Sequence, residues 1–230
     1  MPRKPLAIAG AGRRWIHVPS LAVLCLVALA ATPLLGQPPP IPARLPFVDD
    51  GENQPTFLEF RAELLSAADR RDYRTVKGVL SSRVQVTDGY GIPALEREWR
   101  IKQSTTAFLR ELATILRLGG RFDDRNTVFI APYVWTEFPI PEEAPAYAVV
   151  IHASTPLFDA PRRTARVIAR LSDEVGEDEI APAGWLKLHL IDGRTGFVEK
   201  RFVRKPNEYR AVFRLIGGRW LITEFQAGVD

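Results

Sequence analysis

The sequence predicts an α+β protein: an N-terminal helical region packs on a small antiparallel sheet, and a small β-barrel is inserted before a C-terminal hairpin. Three observations predict it. Between residues 56 and 118 apolar residues recur every three or four positions, which is the period of a helix. From Asn126 onward the period is two, which is the period of a strand. The alternating runs are short and turn residues separate them, as in small all-β barrels.

The helical region begins at Thr56, which with Glu59 has the spacing of a capping box. A second short helix fits residues 72–80. The clearest helix covers residues 104–118, where large apolar side chains form one stripe and a Gly-Gly pair follows as a stop.

The sheet of this region is predicted from a strand and a hairpin. The strand covers residues 127–135, with Pro132 marking an edge or a bend. The hairpin covers residues 209–225 and turns at a Gly-Gly pair. Because a lone hairpin is only marginally stable, we expect it to pair with the strand beneath the helices. Residues 56–138 and 206–230 together form the predicted α+β domain.

The first thirty residues predict a signal peptide. A basic segment precedes an apolar run of about eleven residues at 21–31, which is shorter than the roughly 20 residues that span a bilayer. We expect an exported protein, periplasmic or extracellular, with no membrane span after cleavage. The alternatives are a twin-arginine signal at Arg13 and Arg14, a lipid anchor on Cys25, and an uncleaved N-terminal membrane anchor.

The charge of the chain excludes one class of partner. Four of the 31 Lys and Arg residues and no acidic residue precede Ala31, which leaves 27 basic against 27 acidic residues. A formally neutral mature chain gives no support to nucleic-acid binding, which depends on a basic surface. Residues 31–55 follow as a Pro-rich linker, which we expect to be extended and solvated.

Residues 146–204 are the predicted barrel. Within them, Leu186, Leu188 and Leu190 alternate along one strand and should fill its core. This places Lys187 and His189 toward solvent. The strand turns at an Asp-Gly pair into a second strand, which carries a glycine where the chain must pass closely.

Three segments in this order resemble a bacterial SH3-like domain over residues 148–204. They are residues 155–161, a strand that ends in a short loop and a proline; residues 166–171, the next strand; and residues 184–198, the Trp-initiated hairpin. The chain departs from the family at residues 157–159, where a polar Asn-Val-Arg type of sequence is common. The resemblance implies a docking module for a cell-wall (peptidoglycan) peptide or an envelope protein, with no catalysis and no cofactor.

The candidate ligand-binding residues are those around the hairpin: Trp185, Lys187, His189, Phe197 and Phe158. A rim tryptophan suits a partly solvated contact, because it combines a large apolar area with one N–H donor. The alternative is that Trp185 only plugs the end of the barrel. Arg162, Arg163, Arg166 and Arg170 precede an acidic segment at residues 173–179; we interpret both as solvated, with steering of a charged ligand as the alternative.

A catalytic alternative rests on a fainter likeness. Helices followed by a sheet with a Gly-Arg-Trp return strand are similar to the nuclear-transport-factor-2-like cone fold, which can hold a small molecule or run acid-base chemistry. Asp72, Asp88, Tyr90 and Tyr133 are the residues for that function. The chain has no nucleophile elbow or P-loop, and His152 and His189 lack metal-ligand spacing. We therefore expect a binding protein without a metal, not an enzyme.

Overall fold

The computed structural model describes residues 40–228, so the predicted signal peptide and the first part of the predicted linker lie outside the described residues. The described helices are α1 (Pro55–Asp69), α2 (Tyr73–Lys77), α3 (Ile92–Glu98), α4 (Thr106–Arg117) and α5 (Tyr133–Glu137). The described strands are β1 (Leu80–Val86), β2 (Gly89–Tyr90), β3 (Arg121–Phe122), β4 (Val128–Ala131), β5 (Tyr147–Val150), β6 (Thr155–Phe158), β7 (Val167–Leu171), β8 (Val175–Ile180), β9 (Trp185–Leu190), β10 (Thr195–Glu199), β11 (Val203–Arg204), β12 (Arg210–Ile216) and β13 (Arg219–Gln226). None of the helices in this part of the chain is long and apolar enough to cross a membrane.

The strands form two sheets, and the protein is α+β. The first sheet has six strands in the order β2-β1-β13-β12-β4-β3. The second has seven strands in the order β11-β5-β8-β9-β10-β6-β7, all antiparallel to their neighbours. In sequence, the whole second sheet lies between β4 and β12, which are neighbours in the first sheet.

The C-terminal hairpin pairs as the sequence predicts. β12 lies antiparallel to β4, with Ala211 opposite Ala131 and Arg214 opposite Val128. β13 completes the hairpin, and its other side pairs with β1 in parallel. With β1 included, four neighbouring strands of the first sheet lie beneath the helices: β1, β13, β12 and β4.

Strand β4 ends earlier than predicted. The sequence predicts a strand to residue 135, whereas β4 ends at Ala131 and α5 begins at Tyr133. Pro132 explains the difference, because it has no N–H for the ladder and its restricted backbone favours the start of a helix. α5 then buries Tyr133 and Val134.

Helices α1 and α4 cover the first sheet and enclose the main core. Phe57 is fully buried and its ring lies 4.3 Å from Phe129 and 5.0 Å from Trp220, centroid to centroid. The predicted capping box does not form, because α1 begins at Pro55 and Gln54 Oε1 accepts the N–H groups of Thr56 and Phe57. Proline at the first turn loses no helical hydrogen bond, so the N-cap lies two residues earlier, at Gln54 instead of Thr56.

Residues 40–53, predicted as part of a solvated linker, pack against both sheets. Leu45 is buried and its N–H donates to Asp173 O at 2.8 Å. Asp49 and Arg61 form an ion pair, with 2.6 Å between Asp49 Oδ2 and Arg61 Nη1. Both side chains are nearly buried. The apolar side chain of Leu45 enters a cluster with Leu118 and Tyr133, which explains why this stretch does not remain extended in solvent.

The second sheet is curved but open. Its edge strands both contribute to one core, since Leu171 of β7 and Val203 of β11 belong to the same buried cluster. Within the described residues, however, β7 and β11 do not pair with each other, so the predicted closed barrel is not formed. The sheet also contains a strand that was not predicted, β8, which occupies most of the expected acidic loop.

Candidate functional site

The predicted site lies on the outer face of the second sheet. Along β9, Leu186, Leu188 and Leu190 are buried in the core, which confirms the predicted alternation. Trp185, Lys187 and His189 are half-buried on the opposite face. The period of two in this strand therefore separates core from surface as the sequence predicts.

An aromatic group marks one end of this face. Trp185 packs edge-on against Phe158, with ring centroids 5.5 Å apart and an interplanar angle of 84°. Phe158 is buried at 5% exposure and is opposite Phe197 in the pairing of β6 with β10. Phe197 and Trp185 are only half-buried, so both rings remain partly open to solvent, and Phe158 supports the ring of Trp185.

Lys187 and His189 share one carboxylate, Glu179 on β8. The Lys187 Nζ to Glu179 Oε2 distance is 2.8 Å, and the His189 Nε2 to Glu179 Oε2 distance is 2.9 Å. Thr195 Oγ1 lies 3.3 Å from the other ring nitrogen of His189. The hydrogen bonds from Lys187, and then from His189, hold the pKa of Glu179 below its usual range.

A second carboxylate, Glu199 on β10, lies directly opposite Trp185 in the strand register. Arg163 donates to both of its oxygens, at 3.2 and 2.7 Å. Arg201 Nε lies 3.2 Å from the same carboxylate. These bonds, that from Arg163 foremost, lower the pKa of Glu199, and the carboxylate therefore stays charged at neutral pH.

The helical region covers one part of the outer face and leaves the other part open. On β5 and β8, Tyr147, Val149 and Val175 are buried in the cluster that includes Leu118 and Leu45. On β9 and β10, by contrast, the side chains that surround Trp185 make their polar contacts within the second sheet and its loops. The ring of Trp185 packs within the second sheet, on the ring of Phe158.

Sequence analysis did not assign Glu179, Glu199 or Arg201 to this site, and it interpreted Arg163 as solvated, with steering of a charged ligand as the alternative. Val175–Ile180 lacks the apolar alternation of a half-buried strand, so it resembled a loop. Charge complementarity is the sequence feature that indicates this strand. Glu177 and Glu179 face His189 and Lys187 across the antiparallel pair of β8 with β9. A strand whose outer face is acidic fits next to a strand whose outer face is basic.

The space between the helices and the first sheet bears on the catalytic alternative, which requires an apolar cavity there. Rings fill this space: Phe57 contacts Phe213 at 5.7 Å and Phe122 at 5.3 Å, and Phe108 contacts Phe225 at 5.0 Å. All of these rings except Phe122 are fully buried. The residues of the expected cone are thus packed against each other rather than around a ligand.

The residues considered for acid-base chemistry do not converge. Asp72 is the N-cap of α2 and accepts Thr75 N–H at 3.1 Å. Asp88 lies in the turn between β1 and β2, and Tyr90 is 71% exposed. Tyr133 lies in the cluster with Leu45, where burial raises its pKa to about 12.

One buried polar contact does lie at the end of the main core. The Tyr209 hydroxyl donates to Glu98 Oε1 at 2.8 Å, and burial raises the pKa of Tyr209 well above its usual value. Glu98 Oε2 and Trp99 Nε1 are buried and have no hydrogen-bond partner within residues 40–228. The Trp99 ring packs at 4.6 Å on Tyr209, which leaves this contact enclosed by rings.

Within the described residues, no group of three or more His, Cys, Asp and Glu side chains is placed to hold a metal ion. Comparison of the chain with protein-family models, with curated proteins and with solved structures gives no match.

Proposed function

We propose that this chain is an exported, non-catalytic binding protein whose second sheet, an SH3-like module, docks on a cell-envelope partner. The observation that supports the proposal is the uncovered face of β9 and β10 around Trp185. The half-buried rings of Trp185 and Phe197 lie on that face, Trp185 packs on the buried Phe158, and charged side chains surround them. A rigid aromatic centre with a polar rim is the usual composition of a protein-binding hot spot.

The architecture also favours docking over catalysis. In sequence, the module is inserted between two strands of the first sheet, β4 and β12. Tyr147, Val149 and Val175 fix its covered face to the helices. Its open face therefore has a constant orientation relative to the rest of the protein. The expected signal peptide would place such a platform in the periplasm or outside the cell, where a cell-wall peptide or an envelope protein would be the partner.

The experiment is a pull-down of cell-wall material and envelope proteins with the mature chain. We expect Trp185→Ala to abolish capture, and Tyr90→Ala, which removes an aromatic ring that is 71% exposed on the first sheet, to leave capture unchanged. Circular dichroism would verify that each variant is folded.

A second variant covers the outcome in which Trp185→Ala unfolds the module. Lys187→Ala changes the same face without touching the core, so it should weaken capture while the fold persists. Unchanged capture by folded Trp185→Ala and by Lys187→Ala would contradict the proposal.

A further inference from the structure

The charges around Trp185 are unevenly distributed, although the mature chain is formally neutral. Residues 159–170 and 199–201 contain five arginines and one lysine but only two acidic residues, Asp159 and Glu199. They form the β6–β7 loop, the start of β7 and the turn after β10. These segments lie beside Phe158 and Trp185 through the pairing of β6 with β10 and of β10 with β9.

Two of the arginines compete for one carboxylate. Arg163 and Arg201 both contact Glu199, whose side chain is only 12% exposed, while their own side chains are 69% and 61% exposed. A carboxylate neutralises one guanidinium, so this group carries a net charge of about +1 next to the indole. Each guanidinium keeps donors that face solvent, because its planar fork has five N–H groups.

From this geometry we infer that the partner presents an extended acidic segment, whose apolar side chains contact Trp185 and Phe197 and whose carboxylates contact Arg163 and Arg201. The inference rests on the proposed function, since it assigns the chemistry of the partner at the same face. An extended segment suits this surface because every second side chain of a strand lies on the same side, roughly 6.6 Å apart, so an apolar group and a carboxylate two positions apart can both face the sheet. The bidentate geometry of arginine with carboxylates supplies the selectivity.

The test is a selection of randomised decapeptides displayed on phage, made against the mature chain and its variants. We expect the wild type to enrich peptides in which an apolar residue and an Asp or Glu are separated by one position. The most enriched peptide is then synthesised with a fluorescent label, together with a copy in which Gln replaces every acidic residue. Binding of both to each variant is measured by fluorescence anisotropy.

Three sets of substitutions have three different expected results. The double substitution Arg163→Gln with Arg201→Gln changes the local charge from about +1 to about −1. It should weaken binding of the acidic peptide about five- to tenfold and have little effect on binding of the Gln copy. Glu199→Gln should tighten binding of the acidic peptide. The matched control is Arg117→Gln with Arg214→Gln, which removes two exposed, ion-paired arginines from α4 and β12. It should leave binding of both peptides unchanged.

The outcomes separate this inference from the proposed function. Selected peptides that lack acidic residues but require Trp185 would overturn the inference and leave the docking function standing. Failure of the wild type to select any peptide that Trp185→Ala loses would overturn both. Tighter binding of a single-stranded oligonucleotide than of the acidic peptide would also overturn the inference, because the arginines would then serve a nucleic acid.

Discussion

Glu179 accepts two cationic partners at the centre of the open face, and each has a different consequence. Lys187 contributes a permanent positive charge, whereas His189 contributes one only when its ring is protonated. The pKa of Glu179 lies below its usual range chiefly because of Lys187. Lys187 therefore maintains the contact independently of the charge on the His189 ring.

We predict that Lys187→Met raises the pKa of Glu179 toward that of a free glutamate, about 4.3. With its pKa lowered in the folded state, Glu179 stabilises the fold above the unfolded pKa and loses this contribution as pH falls through the lowered folded pKa. A ¹³C NMR titration of the side-chain carboxyl measures the shift. Lys200→Met is the control, and an unchanged pKa in Lys187→Met would contradict the prediction.

At single positions, the sequence predicts side chains whose role follows from their own strand. The alternation of Leu186 with Lys187 is enough to assign core and surface in β9. The cap of α1 was mispredicted because Gln54 and Thr56 both offer an oxygen at the right spacing, and the backbone selects Gln54 once Pro55 begins the helix. Thr56 Oγ1 instead accepts the indole N–H of Trp220 at 3.1 Å, a contact 164 residues away in sequence.

Among the elements, β10 shows how one glycine positions the aromatic site. A Cβ on Gly196 would lie 2.7 Å from both Phe158 O and Leu157 Cγ. The close passage expected from the sequence is therefore present, and it is what lets β6 approach β10. Phe158 supports Trp185 only because this approach is possible.

We predict that Gly196→Ala lowers the free energy of unfolding by about 1–3 kcal/mol, because the added methyl group overpacks the β6–β10 contact. It should weaken partner capture as well, since Phe158 must shift away from Trp185. Thr195→Ala, on the exposed side of the same strand, should change stability by no more than about 0.5 kcal/mol. Urea denaturation measures both, and equal stability of the two variants would refute the overpacking.

Strand β8 could not be predicted from its own residues. Its only large apolar side chains are Val175 and Ile180, at its two ends, and Ile180 is 94% exposed. Its stability comes from neighbours: Tyr147 donates to Glu177, Lys205 pairs with Asp178 at 2.8 Å, and Lys187 pairs with Glu179. Such partners are known only after the strands on either side are in register.

At the scale of the whole molecule, the two sheets are joined by one buried arginine as well as by apolar contacts. Arg204 ends β11, is 4% exposed, and donates to Glu111 of α4 at 2.7 Å and to Tyr209 O. It therefore links the last strand of the second sheet to a helix that covers the first. The sequence gives no indication of this link, because Arg204 follows a run of charged residues and resembles a surface position.

We predict that Arg204→Met lowers the free energy of unfolding by about 2–3 kcal/mol, because Glu111 loses a buried partner and Tyr209 O loses a donor. Arg204→Lys should rescue little, since both bonds come from one nitrogen of a rigid, planar guanidinium, and a lysine ammonium on a flexible stem is not held in that position. Glu208→Gln, which removes a 45% exposed carboxylate beside the same arginine, is the control. Denaturation in urea distinguishes them, and equal midpoints for Arg204→Met and Glu208→Gln would rule out the link.

The order of the parts was predictable from local patterns, whereas the way they meet was not. Helices, an inserted all-β segment and a C-terminal hairpin that returns to the first strand all follow from periodicity and turns. The packing of residues 40–53 depends on contacts between segments more than a hundred residues apart, such as Arg44 with Glu174. One sequence window carries no trace of such contacts.

The insertion of the second sheet between β4 and β12 also determines how a mechanical load travels. The chain leaves β4 after Ala131 and re-enters β12 at Arg210, so both crossings lie at the same end of one ladder, beside the Ala131–Ala211 pair. Tension applied to a partner bound at Trp185 would act on the first sheet at that end. It would break the hydrogen-bonded pairs between β4 and β12 one after another. The Leu45 cluster and Arg204 lie ahead of those pairs, and they would resist the pull before the ladder does.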